Sequence, residues 1–307
     1  GRRKRGVANA AGFIIQSFAI PMVFVLGGGN NARGYLLTMA IFSTISVTLF
    51  LFCFSVTKER IQPDPRQKSS VVQDLGDLAG NGPWIALFLA TLFYFVALSI
   101  RSSVMLPYFK YCAGNQILFS WFNGFGLLAL ITGVAFSHML TLRFSKRNVF
   151  FWSVVLTGLF SMSLLWIPTS ATALIILSEV LRQLSSGCSG PVLWAMMADV
   201  ADFGEWKTGR RATATVTSAV VFALWVGLAL GGAMTGWMFS FFGYQPNLAQ
   251  TAHTLLGIRL ISSLCAGLVY LAASVCLLFY GIDRKQNMEI SRDLRERRKY
   301  YMHPNQS

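Results

Sequence analysis

Charge is scarce in this chain. Of its 307 residues only 12% are charged, there are 12 carboxylates and three histidines, and 54% of the residues are hydrophobic. An ordinary soluble domain carries about 25% charged residues, so a water-soluble globule is excluded. Cysteine is sparse too. There are five, an odd number, and Cys53, Cys188, Cys265 and Cys276 fall inside apolar stretches with no CxxC spacing, which excludes a disulfide framework and a cysteine-held metal. His138, His253 and His303 stand on separate segments. With no nucleophile–base pair and no histidine-rich pattern, a membrane-embedded enzyme has nothing to work with. The sequence predicts no enzyme, no cofactor and no metal site.

What the chain does have is long apolar runs. A bilayer core about 30 Å thick is crossed by about 20 apolar residues in a helix. Eight stretches meet that requirement, at 6–27, 34–56, 84–109, 116–140, 149–167, 171–198, 212–242 and 256–280. Helices are the only fit, because lipid leaves exposed backbone groups unpaired and the alternation of a barrel is missing. The expected fold is therefore an all-α integral membrane bundle.

The formal charge of +14 arises from 26 lysines and arginines, and their positions explain it. One face of the eight-span arrangement receives Arg33 and Lys110. The other receives Arg2, Arg3, Lys4 and Arg5, then Lys58, Arg60, Arg66 and Lys68, then Arg143, Lys146 and Arg147, then Lys207, Arg210 and Arg211, and the basic tail from Arg284. Basic residues mark the cytoplasmic side, so both ends of the chain are expected there, close to anionic lipid. Nucleic acid is not an expected partner.

The connection 57–82 is polar, broken by Pro63 and Pro65, and divides the spans into two and six. The expected domains are 1–56, the last two helices of an N-terminal bundle; 57–82, a cytoplasmic central loop; 83–281, a complete six-helix bundle; and 282–307, a basic cytoplasmic tail. The chain begins with Gly1 and runs straight from a basic cluster into an apolar segment. It reads as the later part of a six-plus-six transporter lacking about four helices.

Charges inside spans are costly and so mark candidate sites. Arg101 lies on the third span, Glu179 and Arg182 three residues apart on the sixth. Counted at 1.5 Å per residue, Arg101 and Glu179 each lie about 12 Å from the outer end of their helices and reach one depth. Two readings stay open: a structural ion pair, or an unmatched positive charge that holds a hydroxyl-rich or anionic substrate. The run Ser185–Pro191 predicts a kink, since proline removes a helix hydrogen bond, and Gly227, Gly231, Gly232 and Gly236 predict close helix packing. Trp121, Trp194 and Trp225 suit either sugar stacking or packing.

At the exit of the sixth span stands Ala198-Asp199-Val200-Ala201-Asp202-Phe203-Gly204-Glu205-Trp206-Lys207-Thr208-Gly209. Asp199 and Asp202 share a helix face, with Glu205 a turn further. With Arg143, Lys146, Arg147, Lys207, Arg210 and Arg211 on the same side, salt bridges are the expected partners. A charge network of Asp199, Asp202, Glu205, Lys207, Arg143 and Arg147 that forms in one transport state and breaks in another is the expected reading.

This stretch resembles that of the glycoside–pentoside–hexuronide:cation symporters, the melibiose permease group of the major facilitator superfamily. The likeness also rests on Gly231-Gly232, on Phe242-Gly243-Tyr244 with Asn247, on Leu255-Leu256-Gly257, and on Ala11-Gly12-Phe13. It implies two six-helix bundles, alternating access, and symport of a glycoside, pentoside or hexuronide with Na+ or H+ across a bacterial inner membrane. Arg5 resembles the arginine that heads the family's fifth helix and helps form the sugar site. Trp225 stands where the family often has a lysine. The expected substrate-binding residues are Arg5, Arg101, Glu179, Arg182, Trp194 and Trp225, and the expected partners a small-molecule sugar, a coupling cation and membrane lipid. The family's cation-binding carboxylates belong mostly to helices that would precede Gly1, so this piece alone is expected to be inactive. A lipid or drug transporter of the same superfamily is the alternative.

Overall fold

The structure, a computed structural model, describes residues 26, 31–56, 76, 78–115, 117–210 and 213–302, with side chains except at 31, 117 and 298–302. Most of the expected span 6–27, with Arg5 and Ala11-Gly12-Phe13, lies outside the described residues, as does most of the central connection. The chain divides into two compact units, Gly1–Lys68 and Ser69–Ser307.

The described part of the first unit is one helix, α1 (Asn31–Val56). Two of its hydroxyls are turned onto its own backbone: Thr44 donates to the Ala40 carbonyl and Thr48 to that of Thr44, each at 2.8 Å. This leaves an apolar exterior of exposed Leu49, Phe50, Leu51, Phe52 and Phe54, as a helix solvated by lipid requires.

The second unit is a bundle. Asn81 accepts from the Trp84 amide at 3.1 Å and starts α2 (Gly82–Pro107) with Pro83 in its first turn. Past Pro107 the helix widens into a π turn, Tyr108–Cys112. Next come α3 (Ile117–Arg143), α4 (Lys146–Ser163, capped by Ser145) and α5 (Thr172–Thr208). They are followed by α6 (Thr213–Phe241), α7 (Ala252–Leu260), a π turn at Ile261–Cys265, α8 (Ala266–Leu278) and α9 (Arg284–Met302). The last span is thus one rod, α7–π–α8. Helix α5 has 37 residues, about 55 Å at 1.5 Å each, and overshoots a membrane core before Gly209 ends it with a left-handed φ of 72°.

Among the described residues five helices are long and apolar enough to cross a membrane: Ala32–Val56, Gly82–Cys112, Leu118–Arg143, Thr213–Phe241 and Ala252–Leu278. The expected spans 149–167 and 171–198 do not qualify on that ground. Helix α4 has 18 residues and opens on Lys146 and Arg147, while α5 carries Glu179, Arg182 and a serine-rich run. Both are nonetheless held inside the bundle by their neighbours.

The packing order is α3 on α5, α5 on α4, α4 on α8, α8 on α2 and α2 on α6. Exchanging α2, α3 and α4 with α5, α6 and α7–α8 leaves that order unchanged, the mark of a nested three-plus-three repeat. The closest crossings obey the same exchange. A methyl group on Gly133 of α3 would strike the Leu184 carbonyl, and one on Gly187 of α5 the Leu130 carbonyl; Gly227 and Gly231 of α6 would strike the Leu92 and Val96 carbonyls of α2. On the exchange axis, Gly158 of α4 faces Gly267 of α8. Of the four glycines expected to pack in α6, Gly236 has open space and Gly232 only a distant neighbour in Ser99.

Candidate functional site

The charges of α2 and α5 meet in the interior. Arg101 Nη2 donates to Glu179 Oε2 at 2.9 Å, Arg182 Nε to the same oxygen at 2.8 Å, and Arg182 Nη2 to Glu179 Oε1 at 2.5 Å. Arg101 and Glu179 are each 2% exposed and Arg182 4%. The second anchor of Arg101 comes from the π turn. There the Ala266 amide bonds the Ile261 carbonyl five residues back, and the Ser262 carbonyl accepts from Arg101 Nη1 at 2.8 Å. Such single-turn π bulges free or redirect backbone groups at functional sites.

Two guanidinium groups share one carboxylate, so the cluster is positive by one unit. Among the described residues Arg101 Nε, Arg182 Nη1 and the Tyr270 hydroxyl are buried without a bonding partner. A hydroxyl belt continues along α5, with the Tyr94 hydroxyl 2.7 Å from Ser186 Oγ and 2.9 Å from Ser189 Oγ. The Tyr270 ring meets that of Tyr94 edge-on at 5.4 Å. Desolvating three charges costs several kcal/mol each, recovered only through good geometry and added hydrogen bonds. Here four charge-assisted bonds supply them.

A different kind of contact closes the basic end. Lys146, at the start of α4, reaches both Asp199 oxygens at 2.7 Å. The Lys146 side chain is 35% exposed and that of Asp199 11%. Burial, together with the nearby Asp199 carboxylate, pushes the Tyr280 phenol up, so it stays a protonated donor toward the Met196 carbonyl at 3.5 Å. Trp206 Nε1 donates to Asp293 of α9 at 3.1 Å, and Arg297 reaches the Trp206 carbonyl at 3.4 Å.

The sequence of this bundle matches the model of a protein family described as MFS/sugar transport protein over residues 1–284. The chain belongs to that family. It is 30% identical to the inner membrane symporter YicJ of Escherichia coli (strain K12), over 88% of this chain and 58% of the relative. It is 31% identical to an isoprimeverose transporter of Lactiplantibacillus pentosus, over 88% and 57%, and 30% identical to a putative sulfoquinovose importer of Salmonella typhimurium, over 88% and 58%. The chain spans about three fifths of the length of the curated relatives it matches. As part of this MFS family the chain is a multi-pass membrane protein.

Within this MFS chain the six expected substrate residues do not form one group. Arg101, Glu179 and Arg182 are joined. Arg5 lies outside the described residues. Trp194 is 55% exposed and Trp225 65%. Trp194 lies fifteen residues from Glu179 on the same helix, about 22 Å along it, so it is separated from the cluster by depth. The basic-end network also differs from its expected membership. Arg143 is exposed at the end of α3. Arg147 donates to the Leu278 carbonyl at 3.1 Å and lies 3.8 Å from Asp283, and Lys207 donates to the Gly80 carbonyl at 3.1 Å. The partner of Asp199 is Lys146, because α4 begins directly beneath it. Asp202 and Glu205 are half-buried on α5, which runs unbroken past Pro191 and Gly204.

Two features gave weaker signals in sequence. The polar face at 179, 182, 186 and 189 follows a helical repeat, which aligns Ser186 and Ser189 with the charges. The π turn has only the Ser262-Ser263 pair to announce it. At the far end, Lys110 donates to Asn247 Oδ1 at 2.6 Å and the Tyr111 hydroxyl accepts from the Asn247 amide at 2.8 Å. Asn247 sits at a φ of 63°, a left-handed conformation that asparagine tolerates better than most residues. That turn explains why Phe242–Asn247 carries family likeness without lying near the charges.

Proposed function

We propose that the protein containing this chain is a secondary active transporter that moves a sugar or sugar acid together with a cation, Na+ or H+, by alternating access. The observation that carries this reading is the family match to symporters and sugar transporters, extending through the bundle that holds the charges. On this reading the basic end faces the cytoplasm of a bacterial inner membrane. The Arg101–Glu179–Arg182 cluster holds α2, α5 and the last span together as one moving body, and Lys146–Asp199 is a latch that opens between states. Trp194 and Trp225, exposed on α5 and α6, are the proposed ring surfaces for the apolar face of a sugar.

The test is uptake of radiolabelled isoprimeverose and sulfoquinovose, the substrates named for two relatives, into proteoliposomes under an imposed Na+ or proton gradient. Accumulation that collapses with a cation ionophore supports symport. Gradient-independent uptake, or none with a panel of glycosides and hexuronides, rejects it. The orientation is checked with single cysteines placed at Arg292 and Lys110, labelled in intact cells by a membrane-impermeant maleimide. Reaction at position 292 from outside would reverse the assignment.

A further inference from the structure

A concave pocket of about 530 Å³ opens between α9 and the ends of α4 and α5. Its wall carries Lys146, Asp199, Arg284, Arg292, Arg295 and Glu296. Both carboxylates are already engaged, Asp199 by Lys146 at 2.7 Å and Glu296 by Arg292 at 3.3 Å. Among the described residues neither Arg284 nor Arg295 is paired with a carboxylate, which leaves the pocket with two uncompensated positive charges. Arg284 reaches only a carbonyl, that of Leu142, at 3.4 Å. The pocket is held open by packing, since Ile290 and Leu294 of α9 are buried while the arginines project from its other faces.

We propose that this pocket binds a phosphate-bearing anion, supplied by the headgroup of an acidic membrane phospholipid. Its volume is in the range of small-ligand sites, about 300–1,000 Å³. Converging guanidinium groups suit phosphate oxygens through paired, charge-assisted hydrogen bonds. A concave wall with an excess of positive charge concentrates anions. The location favours lipid over a soluble anion, because α4 starts at its Ser145 cap beside the pocket, at the basic end that the positive-inside rule sets against the anionic cytoplasmic leaflet. The ligand would share Lys146 with Asp199, so occupancy pulls on the same lysine that closes the basic end. This inference does not require any particular transported substrate.

The experiment is native mass spectrometry of the protein released from nanodiscs of phosphatidylcholine with graded phosphatidylglycerol, for three forms. One is the unaltered protein. The second carries Arg284→Gln with Arg295→Gln. The third carries Arg143→Gln with Lys285→Gln, an equal loss of charge at the same end outside the pocket. All four side chains are exposed, so each double variant is expected to fold. Retained phosphatidylglycerol should fall about tenfold or more in the pocket pair and less than twofold in the outside pair. An equal fall in both pairs, or in neither, overturns the site. Equilibrium dialysis with radiolabelled inorganic phosphate in neutral detergent separates the two sources. Saturable phosphate binding lost in the pocket pair, without selective lipid retention, overturns the lipid assignment and leaves a soluble anion.

Discussion

Two sets of ion pairs on one helix behave as opposites. At the interior, Glu179 is gripped by two arginines from α2 and α5, with side chains no more than 5% exposed. Twenty residues further along α5, Asp199 is held by a single lysine whose side chain is 35% open to solvent. The first arrangement has no water to replace a lost bond, so breaking it strands a charge. In the second, both partners can be rehydrated, and the Coulomb term is screened by salt. Geometry at 2.5–2.9 Å is much the same in both places. Burial and the number of partners, not bond length, separate the two.

The sharpest way to break this contrast is Glu179→Gln, which leaves two buried guanidinium groups without their counter-charge. A loss of about 3–5 kcal/mol is expected, measured as a collapse of the melting transition in detergent. Replacing Arg101, Glu179 and Arg182 together with Met, Gln and Met should recover much of it if the cluster only fastens. Recovery of stability without recovery of uptake would assign it a further role in transport.

Next in size is Gly133→Val, which drives a side chain into the Leu184 carbonyl where α3 crosses α5. Overpacking of this kind costs about 1–3 kcal/mol, whereas Gly236→Val, into open space, should change the melting temperature little. Equal effects would mean the crossings are less tight than described.

Smaller again is Lys146→Gln. Its effect on stability is expected at about 1 kcal/mol or less, but uptake rate should change severalfold, and salt near 1 M should bring the unaltered protein toward the variant. Salt should leave the melting loss of Glu179→Gln unmoved. Least of all, Arg292→Gln removes an exposed pair on α9 with Glu296 and should cost under about 0.5 kcal/mol by the same thermal measurement.

Much of this arrangement is readable from sequence because lipid imposes simple rules. Apolar run length marked five of the helices among the described residues, and counting depth at 1.5 Å per residue sets Arg101 and Glu179 at one level. The identity of Asp199's partner was not legible, because Arg143, Lys146 and Arg147 lie within five residues and only the point at which α4 begins selects among them. The docked helix α9 was hidden under its own charge. Its contact with α5 depends on Ile290 and Leu294, one turn apart in a segment otherwise dominated by arginine. The π turn at Ile261–Cys265 is a shift of one residue in hydrogen bonding, below what hydropathy can register. Trp194 shows the converse limit: its ring chemistry suits a sugar, yet chemistry carries no depth.

Helix α5 runs unbroken through Pro191 but carries there a site where it can bend. Below Pro191 it is clamped by Gly187 against α3 and by the buried charges; above it, eight residues lead to Asp199, an arm of about 12 Å. Proline leaves one rung of the backbone ladder empty at that site, and Gly190 beside it has no neighbour to obstruct bending. A flexure of roughly ten degrees swings the carboxylate by about 2 Å, which is the distance between clasping Lys146 and releasing it to water. On the proposed reading, the helix lets go of Lys146 at one end while its other end stays clamped.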